Sequence, residues 1–402
     1  MFLKKHSFLF LFILLQHISF AQFWQQITDF PAPQRDDGTG FTIANKAYCG
    51  TGLQDFFVPS RDFYSFDMTT ETWDTIASLP SGMERQYATG FSNNVYGYVF
   101  GGVNGSNYFN DVWQYDAGTN SWQTKAALPA AGRAGSSVFV INDTAYIIGG
   151  RTSLATSISD VWAYCFSTDT WTQKNNLPFG ERWRASATTL NNKGYLLFGM
   201  NANAHRCQEL EEFSPITNTW TQVSTFPNPG RIYAAMKSIS GDLVVVAGLD
   251  SLGNSYNDMW RINPATLTWQ QLTPIPSGGR RGGICFNNTT TLYYTTGINQ
   301  ANTRLKETWK VNNPTGINGN NIETTISSYP NPTNGKVTIS VSPATFTNHL
   351  HISIYNVLGK LVETIEMKTN TIVIDLSSQS KGIYFVKIEN EQGLKVEKIV
   401  YQ

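Results

Sequence analysis

The sequence predicts an all-β protein: a six-bladed β-propeller closed by its N-terminal strand, followed by a small Ig-like β-sandwich. Two observations predict the propeller. Several residue types recur every 49 residues, and each repeat contains four short strand patterns. A third observation predicts the sandwich, because short alternating strands continue for about 80 residues after the repeat stops. The parts of the chain are taken below in this order.

The repeat is defined by four columns of residues that keep the same 49-residue step six times. The tryptophans are Trp24, Trp73, Trp122, Trp171, Trp220 and Trp269. The prolines are Pro31, Pro80, Pro129, Pro178, Pro227 and Pro276. The glycines are Gly52, Gly101, Gly150, Gly199, Gly248 and Gly297. The acidic residues are Asp62, Asp111, Asp160, Glu209, Asp258 and Glu307, and we interpret this column as structural because all six repeats share it.

One repeat, residues 133 to 176, shows the predicted elements. Ser137 to Ile141 and Ala145 to Ile148 are apolar strands joined by Asn142-Asp143, a pair typical of tight turns. Third and fourth strands follow around Trp162 and Trp171. A four-stranded sheet of this size has two apolar faces, which it buries by packing radially against like neighbours.

The ends of the array predict how the ring closes. The third-strand position recurs six times, at Tyr64, Trp113, Trp162, Glu211, Trp260 and Trp309. One more step from Trp269 reaches Asn318, so the last blade lacks its own outer strand. The segment from Phe23 to Thr28, around Trp24, is expected to supply it and so to leave no open sheet edge.

These residues resemble kelch repeats. The glycine pair Gly149-Gly150, the aromatic Tyr164 and the tryptophan seven positions later, Trp171, match that family's pattern, and the resemblance covers residues 22–311. Kelch propellers include copper radical oxidases, whose metal needs two histidines and a tyrosine cross-linked to cysteine. The mature propeller has one histidine, His205, which excludes that ligand set, so we expect no metal and no cofactor.

Composition and the N-terminus indicate an exported protein. Residues 1–21 have the pattern of a signal peptide, with Lys4 and Lys5 before the apolar run from Phe8 to Leu15. That run is too short to cross a bilayer, so no transmembrane helix is expected after cleavage. Lys+Arg and Asp+Glu are both 29, which argues against nucleic acid as a partner. The four cysteines, Cys49, Cys165, Cys207 and Cys285, are either disulfide partners or buried free thiols.

The C-terminal part begins after a linker at residues 312–321. Residues 322–402 resemble the type A C-terminal sorting domain of the type IX secretion system of the Bacteroidetes. Its motif residues are Pro330, Asn331, Pro332, Gly359, Gly382 and Tyr384. The resemblance implies that this part contacts the secretion machinery and a surface sortase, and that the mature protein is secreted or attached to the outer-membrane surface. An accessory sandwich with carbohydrate affinity is the alternative.

A fifth column predicts where a ligand binds. Arginine follows each proline by four residues, except in the second repeat, where Glu84 takes the place and Arg85 stands beside it. These positions precede the innermost strands, so we expect them to ring one mouth of the central channel. Arginine side chains with aromatic neighbours are suited to binding a carboxylate, because each guanidinium can donate to both carboxylate oxygens. The candidate binding residues are Arg35, Asp37, Arg85, Arg133, Arg182, Trp183, Arg184, Arg231, Tyr233, Arg280 and Arg281. Under the alternative interpretation the repeated arginines cap the fold, bonding backbone carbonyls or the acidic column.

The resemblance adds expectations about ligand and activity. This face of kelch propellers commonly binds acidic peptides, and in a related bacterial group it handles sialic acid. We therefore expect a secreted or cell-surface binding protein for an anionic saccharide or acidic peptide. An enzyme resembling kelch-type N-acetylneuraminate epimerases, and a structural surface protein without a small ligand, are the alternatives. Glu209, Glu211 and Glu212, near His205, form a second candidate site.

Overall fold

The computed structural model describes residues 24–314, 326–341, 350–357, 360–390 and 393–402. The chain divides into two compact units, one reaching residue 316 and the other starting at residue 317. The predicted signal peptide, residues 315–321 of the predicted linker and Gly359 lie outside the described residues. No helix within the described ranges is long and apolar enough to cross a bilayer.

The described part of the first unit contains six four-stranded antiparallel sheets, numbered here in chain order of their first strands. From first to fourth strand, they are Thr39–Ile43, Lys46–Gly50, Phe63–Asp67 and Thr72–Thr75 (sheet 1); Thr89–Ser92, Gly97–Phe100, Val112–Asp116 and Ser121–Lys125 (sheet 2); Ser137–Ile141, Thr144–Ile148, Val161–Cys165 and Thr170–Lys174 (sheet 3); Trp183–Leu190, Lys193–Met200, Glu209–Ser214 and Thr219–Thr225 (sheet 4); Ala235–Ile239, Asp242–Val246, Met259–Asn263 and Thr268–Leu272 (sheet 5); and Ile284–Asn287, Thr291–Thr295, Thr308–Asn312 and Trp24–Ile27 (sheet 6).

Shorter elements lie in the loops between second and third strands and before the first strands. They are the strands Arg35–Asp36, Leu53–Gln54, Val58–Pro59, Val103–Asn104, Asn107–Tyr108, Arg280–Arg281 and Ile298–Asn299, and the 3-10 helix Asp55–Phe57. In an antiparallel sheet these two kinds of connection emerge at the same end of the strands. We call this end of the propeller the mouth face, and the end with the tight turns the opposite face.

Burial changes from strand to strand within each sheet. In sheet 3 the first strand, Ser137–Ile141, alternates between buried and partly buried residues, as a period of two requires. The second strand, Thr144–Ile148, is buried over its last four residues because other sheets cover both of its faces. The outer strand, Thr170–Lys174, is mostly exposed. The first and second strands therefore form the core, and the fourth forms the outer wall.

Six equivalent hydrogen bonds join each sheet to the next and the sixth to the first. In each, a glycine N–H at the end of a second strand donates to the carbonyl of an arginine before the next sheet. The bonds run from Gly52 to Arg85, Gly102 to Arg133, Gly150 to Arg182, Gly199 to Arg231, Gly248 to Arg280 and Gly297 to Arg35, with N···O distances of 2.9, 2.8, 2.8, 2.8, 3.0 and 2.8 Å. All six glycines have positive φ, a backbone conformation that costs glycine little. The first strands of neighbouring sheets also contact each other around the whole ring.

Sheet 6 takes its outer strand from the N-terminal segment, as the sequence predicted. Trp24 is paired with Val311, and Ile27 with Thr308. The Trp24 indole N–H donates to the carbonyl of Thr273 at 2.8 Å. Trp171 makes the equivalent bond to its preceding sheet, to Ala126 at 2.8 Å. Trp24 thus takes the position that the repeat would assign to residue 318.

A cluster of buried apolar side chains fills the space between every two neighbouring sheets. Between sheets 1 and 2, for example, Tyr48 packs against Tyr115 with ring centroids 5.3 Å apart, and Phe63 packs against Trp122 at 4.9 Å. Large aromatic rings bury much area and fill wedge-shaped gaps well. The fourth-strand Trp122 of sheet 2 therefore packs against sheet 1.

All four cysteines are free thiols. Cys49 and Cys207 are buried, and Cys165 and Cys285 are partly exposed. Burial raises the pKa of Cys49 above its usual range and that of Cys285 to about 12. Because the thiolate is the reactive form, both side chains act as small apolar groups in the wall.

The second unit contains a three-stranded and a four-stranded sheet in its described part. The first is Ile326–Tyr329, Lys336–Val341 and Thr371–Asp375; the second is Leu361–Met367, Leu350–Asn356, Gly382–Asn390 and Gly393–Tyr401. One core of buried side chains, including Val337, Ile352 and Val386, lies between them. Asn331 ties the start of the unit to its last strand, donating to the carbonyl of Lys398 at 2.6 Å and accepting from the N–H of Val400 at 2.9 Å.

The other motif residues of this unit lie at turns and in the core. Pro330 and Pro332 flank Asn331 in the segment after the first strand, and Gly382 begins the long third strand of the four-stranded sheet. The Tyr384 side chain is buried, and its hydroxyl donates to the carbonyl of Ser380 at 2.6 Å. Among the described motif residues, Asn331 and Tyr384 therefore bond the backbone of this unit directly.

Candidate functional site

The six repeated arginines are buried in the propeller wall and paired with the acidic column. The pairs are Arg35–Asp62, Arg85–Asp111, Arg133–Asp160, Arg182–Glu209, Arg231–Asp258 and Arg280–Glu307. In sheet 5, Arg231 Nη1 and Nη2 lie 2.5 and 2.7 Å from the two oxygens of Asp258, and the Trp260 indole donates to the same carboxylate at 2.9 Å. This geometry supports the structural interpretation of both columns. The repeated arginines are already neutralised, so we leave all six out of the binding site proposed below.

The second repeat departs from the 49-residue step by one residue over part of its length. Arg85, rather than Glu84, makes the ion pair, and Gly102, rather than Gly101, makes the bond to the next sheet. Glu84 instead pairs at the surface with Arg61 at 3.2 Å. When the second repeat is aligned on Arg85, Tyr87 occupies the position that Asp37 occupies in sheet 1.

The second candidate group, in sheet 4, does not form one site. Arg182 and Glu209 are 3.9 Å apart, and Glu211 replaces the third-strand aromatic residue. Burial raises the pKa of Glu211 to about 7. Glu212 is occupied, accepting from Lys193 at 2.6 Å and from the Tyr195 hydroxyl at 2.7 Å. His205 is exposed in a loop.

A ring of six residues in left-handed backbone conformation lines the channel at the mouth face. They stand two positions after the repeated arginines and are Asp37, Tyr87, Gly135, Arg184, Tyr233 and Gly282, with φ of 57, 58, 65, 55, 61 and 65°. Backbone bonds link them around the axis: the N–H of Asp37 donates to Gly282, that of Tyr87 to Asp37, that of Gly135 to Tyr87, that of Arg184 to Gly135, and that of Gly282 to Tyr233. Four of the six are not glycine, and strained residues of this kind concentrate at functional sites.

The side chains of this ring meet across the channel around one guanidinium group. The central carbon of Arg184 lies 3.7 Å from the ring centroids of both Tyr87 and Tyr233 and 3.9 Å from that of Trp183. Asp37, from sheet 1 three sheets away around the ring, faces the same guanidinium. Burial lowers the pKa of Arg184, and the charge of Asp37 opposes that shift. We call Asp37, Tyr87, Trp183, Arg184 and Tyr233 the mouth cluster. It brings four of the candidate binding residues together.

The two glycines of the ring make room for these side chains. A Cβ on Gly135 would lie 2.7 Å from Nε1 of Trp183 and 3.1 Å from Cγ of Arg184. A Cβ on Gly282 would lie 2.8 Å from Oδ1 of Asp37. Any other residue at either position would displace the mouth cluster.

Two further arginines extend the positive charge outward from the cluster. The guanidinium of Arg151 lies 3.5 Å from the ring centroid of Trp183. Burial lowers the pKa of Arg206, and the nearby positive charge of Arg151 lowers it further. Among the described residues, Arg151, Arg184 and Arg206 form no ion pair within 4.0 Å. Buried Nε atoms of all three, and Nη1 of Arg184, have no hydrogen-bond partner within the described residues.

Asp37 is the one carboxyl group inside the mouth cluster. Its pKa is raised to about 7, chiefly by burial; Arg184 and a hydrogen bond from Tyr87 oppose the shift, and the charge of Asp36 adds to it. Asp36 itself accepts from Arg304 Nε at 2.7 Å. The mouth cluster therefore holds a carboxyl group that titrates near neutral pH beside a permanent positive charge.

Arg281, the remaining candidate, lies apart from the cluster. It donates from Nη1 to Ser255 Oγ at 3.1 Å and from Nη2 to Asn302 Oδ1 at 2.7 Å. Both partners are neutral, so Arg281 keeps its charge but is already held by loops of sheets 5 and 6. The structure places it at the edge of the site.

Sequence reasoning left out Tyr87, Arg151 and Arg206. The one-residue offset in the second repeat hid Tyr87, and aligning the ion pair rather than the 49-residue step would have found it. Arg151 follows the glycine column, where the other five sheets carry apolar residues; these are Leu53, Val103, Met200, Leu249 and Ile298. A single charged residue in an otherwise apolar column is the sequence feature that could have identified Arg151.

The arrangement is suited to holding an anion. Three arginines with unsatisfied donors face one mouth, and the single carboxyl among them loses its charge below about pH 7. A ligand carboxylate would supply the missing acceptors in paired, charge-assisted bonds. Within the described residues no group of three or more His, Cys, Asp and Glu side chains is placed to hold a metal ion.

Comparisons with known families agree with this architecture. Residues 22–199, and again residues 124–297, match the family described as the KLHDC2/KLHL20/DRC7 Kelch-repeats domain. Residues 327–402 match the family described as the secretion system C-terminal sorting domain. No curated protein matches the sequence.

One solved structure, titled "Structure of YjhT", resembles the fold with a TM-score of 0.61. It is 20% identical and covers 70% of this chain and 96% of its own. At that identity the likeness concerns the fold alone.

Proposed function

Because this chain belongs to the kelch-repeat family and ends in a secretion system sorting domain, we propose that it is an exported receptor for a carboxylate-bearing ligand at the mouth cluster. The sorting domain indicates secretion to the cell surface or the medium and interaction with the secretion machinery. The ligand is an anionic saccharide or an acidic peptide, and the propeller presents the site.

One observation carries the proposal: Arg151, Arg184 and Arg206 gather at one mouth without a paired carboxylate, and their buried donors have no partner among the described residues. Leaving a buried donor unsatisfied costs about 1–3 kcal/mol. The six wall arginines direct Nη donors at acidic partners, although Nε of Arg231 and Arg280 is also without a partner among the described residues. The donors of the mouth arginines that have no partner among the described residues are therefore available to a bound anion.

Calorimetry with the mature protein tests the proposal. N-acetylneuraminate and an acetylated Glu peptide serve as carboxylate probes, and the methyl ester of each serves as its uncharged control. We expect the acids to bind at least tenfold more tightly than the esters, and Arg151→Gln with Arg206→Gln to abolish the difference. Lys193→Gln, which removes an exposed charge on the opposite face, is the matched control. Equal binding of acid and ester, or no binding of either, would leave a structural surface protein as the better interpretation.

A second candidate function is an enzyme resembling N-acetylneuraminate epimerases. Asp37 favours it, since a carboxyl group with a pKa near 7 beside the Tyr87 hydroxyl is suited to moving a proton on a bound sugar. NMR of N-acetylneuraminate would show faster interconversion of its anomers, and Asp37→Asn would remove the acceleration. An unchanged spectrum with the wild-type protein argues for binding alone.

A further inference from the structure

Three loops of the mouth face carry large apolar side chains that are almost fully exposed. They join the second and third strands of sheets 1, 3 and 5 and present Phe56, Phe57, Leu154 and Leu252, which are 93, 78, 85 and 84% exposed. Phe56, Leu154 and Leu252 are two 49-residue steps apart, so they occupy equivalent positions in their loops. With the second repeat aligned on Arg85, the equivalent residues of sheets 2, 4 and 6 are Ser106, Asn203 and Ala301. We call the four exposed residues the apolar prongs.

The repeat determines how the apolar prongs are arranged. Equivalent positions of a propeller lie at one height along its axis, because each sheet is related to the next by rotation about that axis. The prongs belong to every second sheet and therefore form three separated points in one plane on the mouth face. Exposed apolar residues of the opposite face lack this arrangement, since Val95 is in a turn between first and second strands and Ile216 is in a turn between third and fourth strands.

The prong of sheet 1 is held by its own loop. Phe56 and Phe57 are consecutive residues with φ of 60 and 58°, a conformation that bulky side chains rarely adopt. Asp55 braces the loop, accepting from Gln34 Nε2 at 2.5 Å and lying 3.8 Å from Arg304 Nη1. A strained backbone is retained only where surrounding contacts impose it. The loop therefore keeps both rings exposed although its backbone is strained.

An acidic side chain braces the prong of sheet 5 in the same way. Asp250 is 2% exposed, and its carboxylate accepts from the backbone N–H groups of Leu252 and Asn254, both at 2.9 Å. The Tyr256 hydroxyl donates to the same carboxylate at 2.8 Å. Leu252 is thus presented on a loop that is fixed at its base.

A flat lipid surface is the partner that matches three coplanar apolar tips. Phe and Leu side chains enter the boundary between lipid headgroups and acyl chains readily, and a bilayer meets all three tips at once. The charges of Arg151 and Arg206, which form no ion pair within 4.0 Å among the described residues, attract anionic headgroups within a Debye length of about 10 Å. The sorting domain indicates secretion, so the propeller reaches the outer side of a membrane.

We propose that the mouth face docks on an anionic lipid bilayer, with the apolar prongs inserted at the headgroup boundary and Arg151 and Arg206 attracting the lipid phosphates. Burial of the prongs supplies affinity for any bilayer, and the arginines add a preference for anionic lipid. This inference goes beyond the proposed carboxylate site, because binding of a soluble carboxylate needs no prong.

Co-sedimentation of the full mature protein with lipid vesicles tests the inference. One set of vesicles is phosphatidylcholine alone, and the other contains about one third phosphatidylglycerol, so that the difference reports the electrostatic contribution. Glycerol 3-phosphate, the soluble form of the same headgroup chemistry, is added as a competitor. Calorimetry with N-acetylneuraminate is run on every variant to follow the carboxylate site separately.

Four variants separate the contributions. Phe56→Asn with Phe57→Asn removes the rings and keeps residues that tolerate the left-handed backbone, and Leu154→Ser with Leu252→Ser removes the other tips. Asn203→Leu adds a fourth tip at an equivalent position. Val95→Ser with Ile216→Ser is the matched control, because these side chains are 62 and 95% exposed at tight turns of the opposite face.

We expect each prong variant to lose at least tenfold in affinity for both kinds of vesicle and less than twofold for N-acetylneuraminate. Asn203→Leu should strengthen vesicle binding, and the control should leave it unchanged. Arg151→Gln with Arg206→Gln should abolish the preference for phosphatidylglycerol while keeping the binding to phosphatidylcholine.

Three outcomes would overturn the inference. The first is absence of vesicle binding, or vesicle binding that both prong variants retain. The second is loss of vesicle binding on addition of glycerol 3-phosphate, which would assign the site to a free phosphate. The third is prong-dependent self-association without vesicles, which would assign the prongs to a second copy of the chain. In each case binding of N-acetylneuraminate decides the carboxylate site independently.

Discussion

Two sets of arginines differ in whether an acidic side chain neutralises them. The wall arginines recur in all six repeats, are buried, and each faces an acidic partner. The mouth arginines Arg151, Arg184 and Arg206 occur once each, and none of them has an acidic side chain within 4.0 Å among the described residues. The comparison teaches that residues repeated in every sheet stabilise the propeller, whereas residues that depart from the repeat are the better candidates for ligand binding.

The largest expected effect comes from breaking the wall. Arg231→Met leaves Asp258 buried without its partner, which costs about 3–5 kcal/mol of unfolding free energy. For a unit of this size that lowers the melting temperature by about 10 °C. Calorimetric melting measures it, and Lys193→Met, which removes an exposed pair, is the control with an expected change of about 0–1 kcal/mol. Equal shifts in the two variants would remove the distinction between wall and surface pairs.

Removing the central mouth arginine should act on binding more than on stability. Arg184→Met keeps an apolar side chain among the three aromatic rings but deletes the charge. We expect affinity for a carboxylate ligand to fall about 30-fold or more, corresponding to at least about 2 kcal/mol for a desolvated charge pair. Titration of wild type and variant with N-acetylneuraminate and the Glu peptide measures it. A variant that binds as wild type would exclude Arg184 from the site.

The next effect concerns pH. Asp37 is charged above its pKa of about 7 and then competes with a ligand carboxylate for Arg184, so affinity should fall about tenfold between pH 6 and pH 8. Asp37→Asn should bind equally at both values. The groups facing Asp37 include Asp36, Tyr87 and Arg184. An Asn variant with the wild-type pH profile would assign the titration to another group.

The same shift has a consequence for stability. Because the pKa is raised in the folded protein, the fold binds more protons than the unfolded chain between about pH 4 and pH 7. The free energy of unfolding contributed by Asp37 therefore falls as pH rises through that window. Asp37→Asn should raise the melting temperature at pH 8 and leave it nearly unchanged at pH 4.

The smallest effect is expected at Arg281. Its guanidinium already bonds Ser255 and Asn302, outside the mouth cluster, so Arg281→Gln should weaken ligand binding less than about threefold. Titration beside Arg184→Met measures the contrast. A loss as large as that of Arg184→Met would widen the site to the loops of sheet 6.

The sequence predicted more of the fold than of the candidate site. Column spacing alone located the strands, and the absence of a tryptophan at Asn318 predicted closure by Trp24, because a repeat fixes its own geometry. The mouth cluster depends instead on which side chains occupy a left-handed backbone position, and on Gly135 and Gly282 leaving space. Asp37, Arg184 and Tyr233 keep the 49-residue step and were candidates from the sequence, whereas the one-residue offset at Arg85 hid Tyr87. That these side chains meet around one guanidinium group needed coordinates.

Closure by the N-terminal strand also bears on folding. Trp24 and its pairing partner Val311 are nearly 290 residues apart, so completing sheet 6 brings the two ends of the propeller sequence together. Pairing between such distant segments costs loop-closure entropy before any contact offsets it, which makes this step intrinsically slow. Removal of either strand would leave an unpaired sheet edge in the ring.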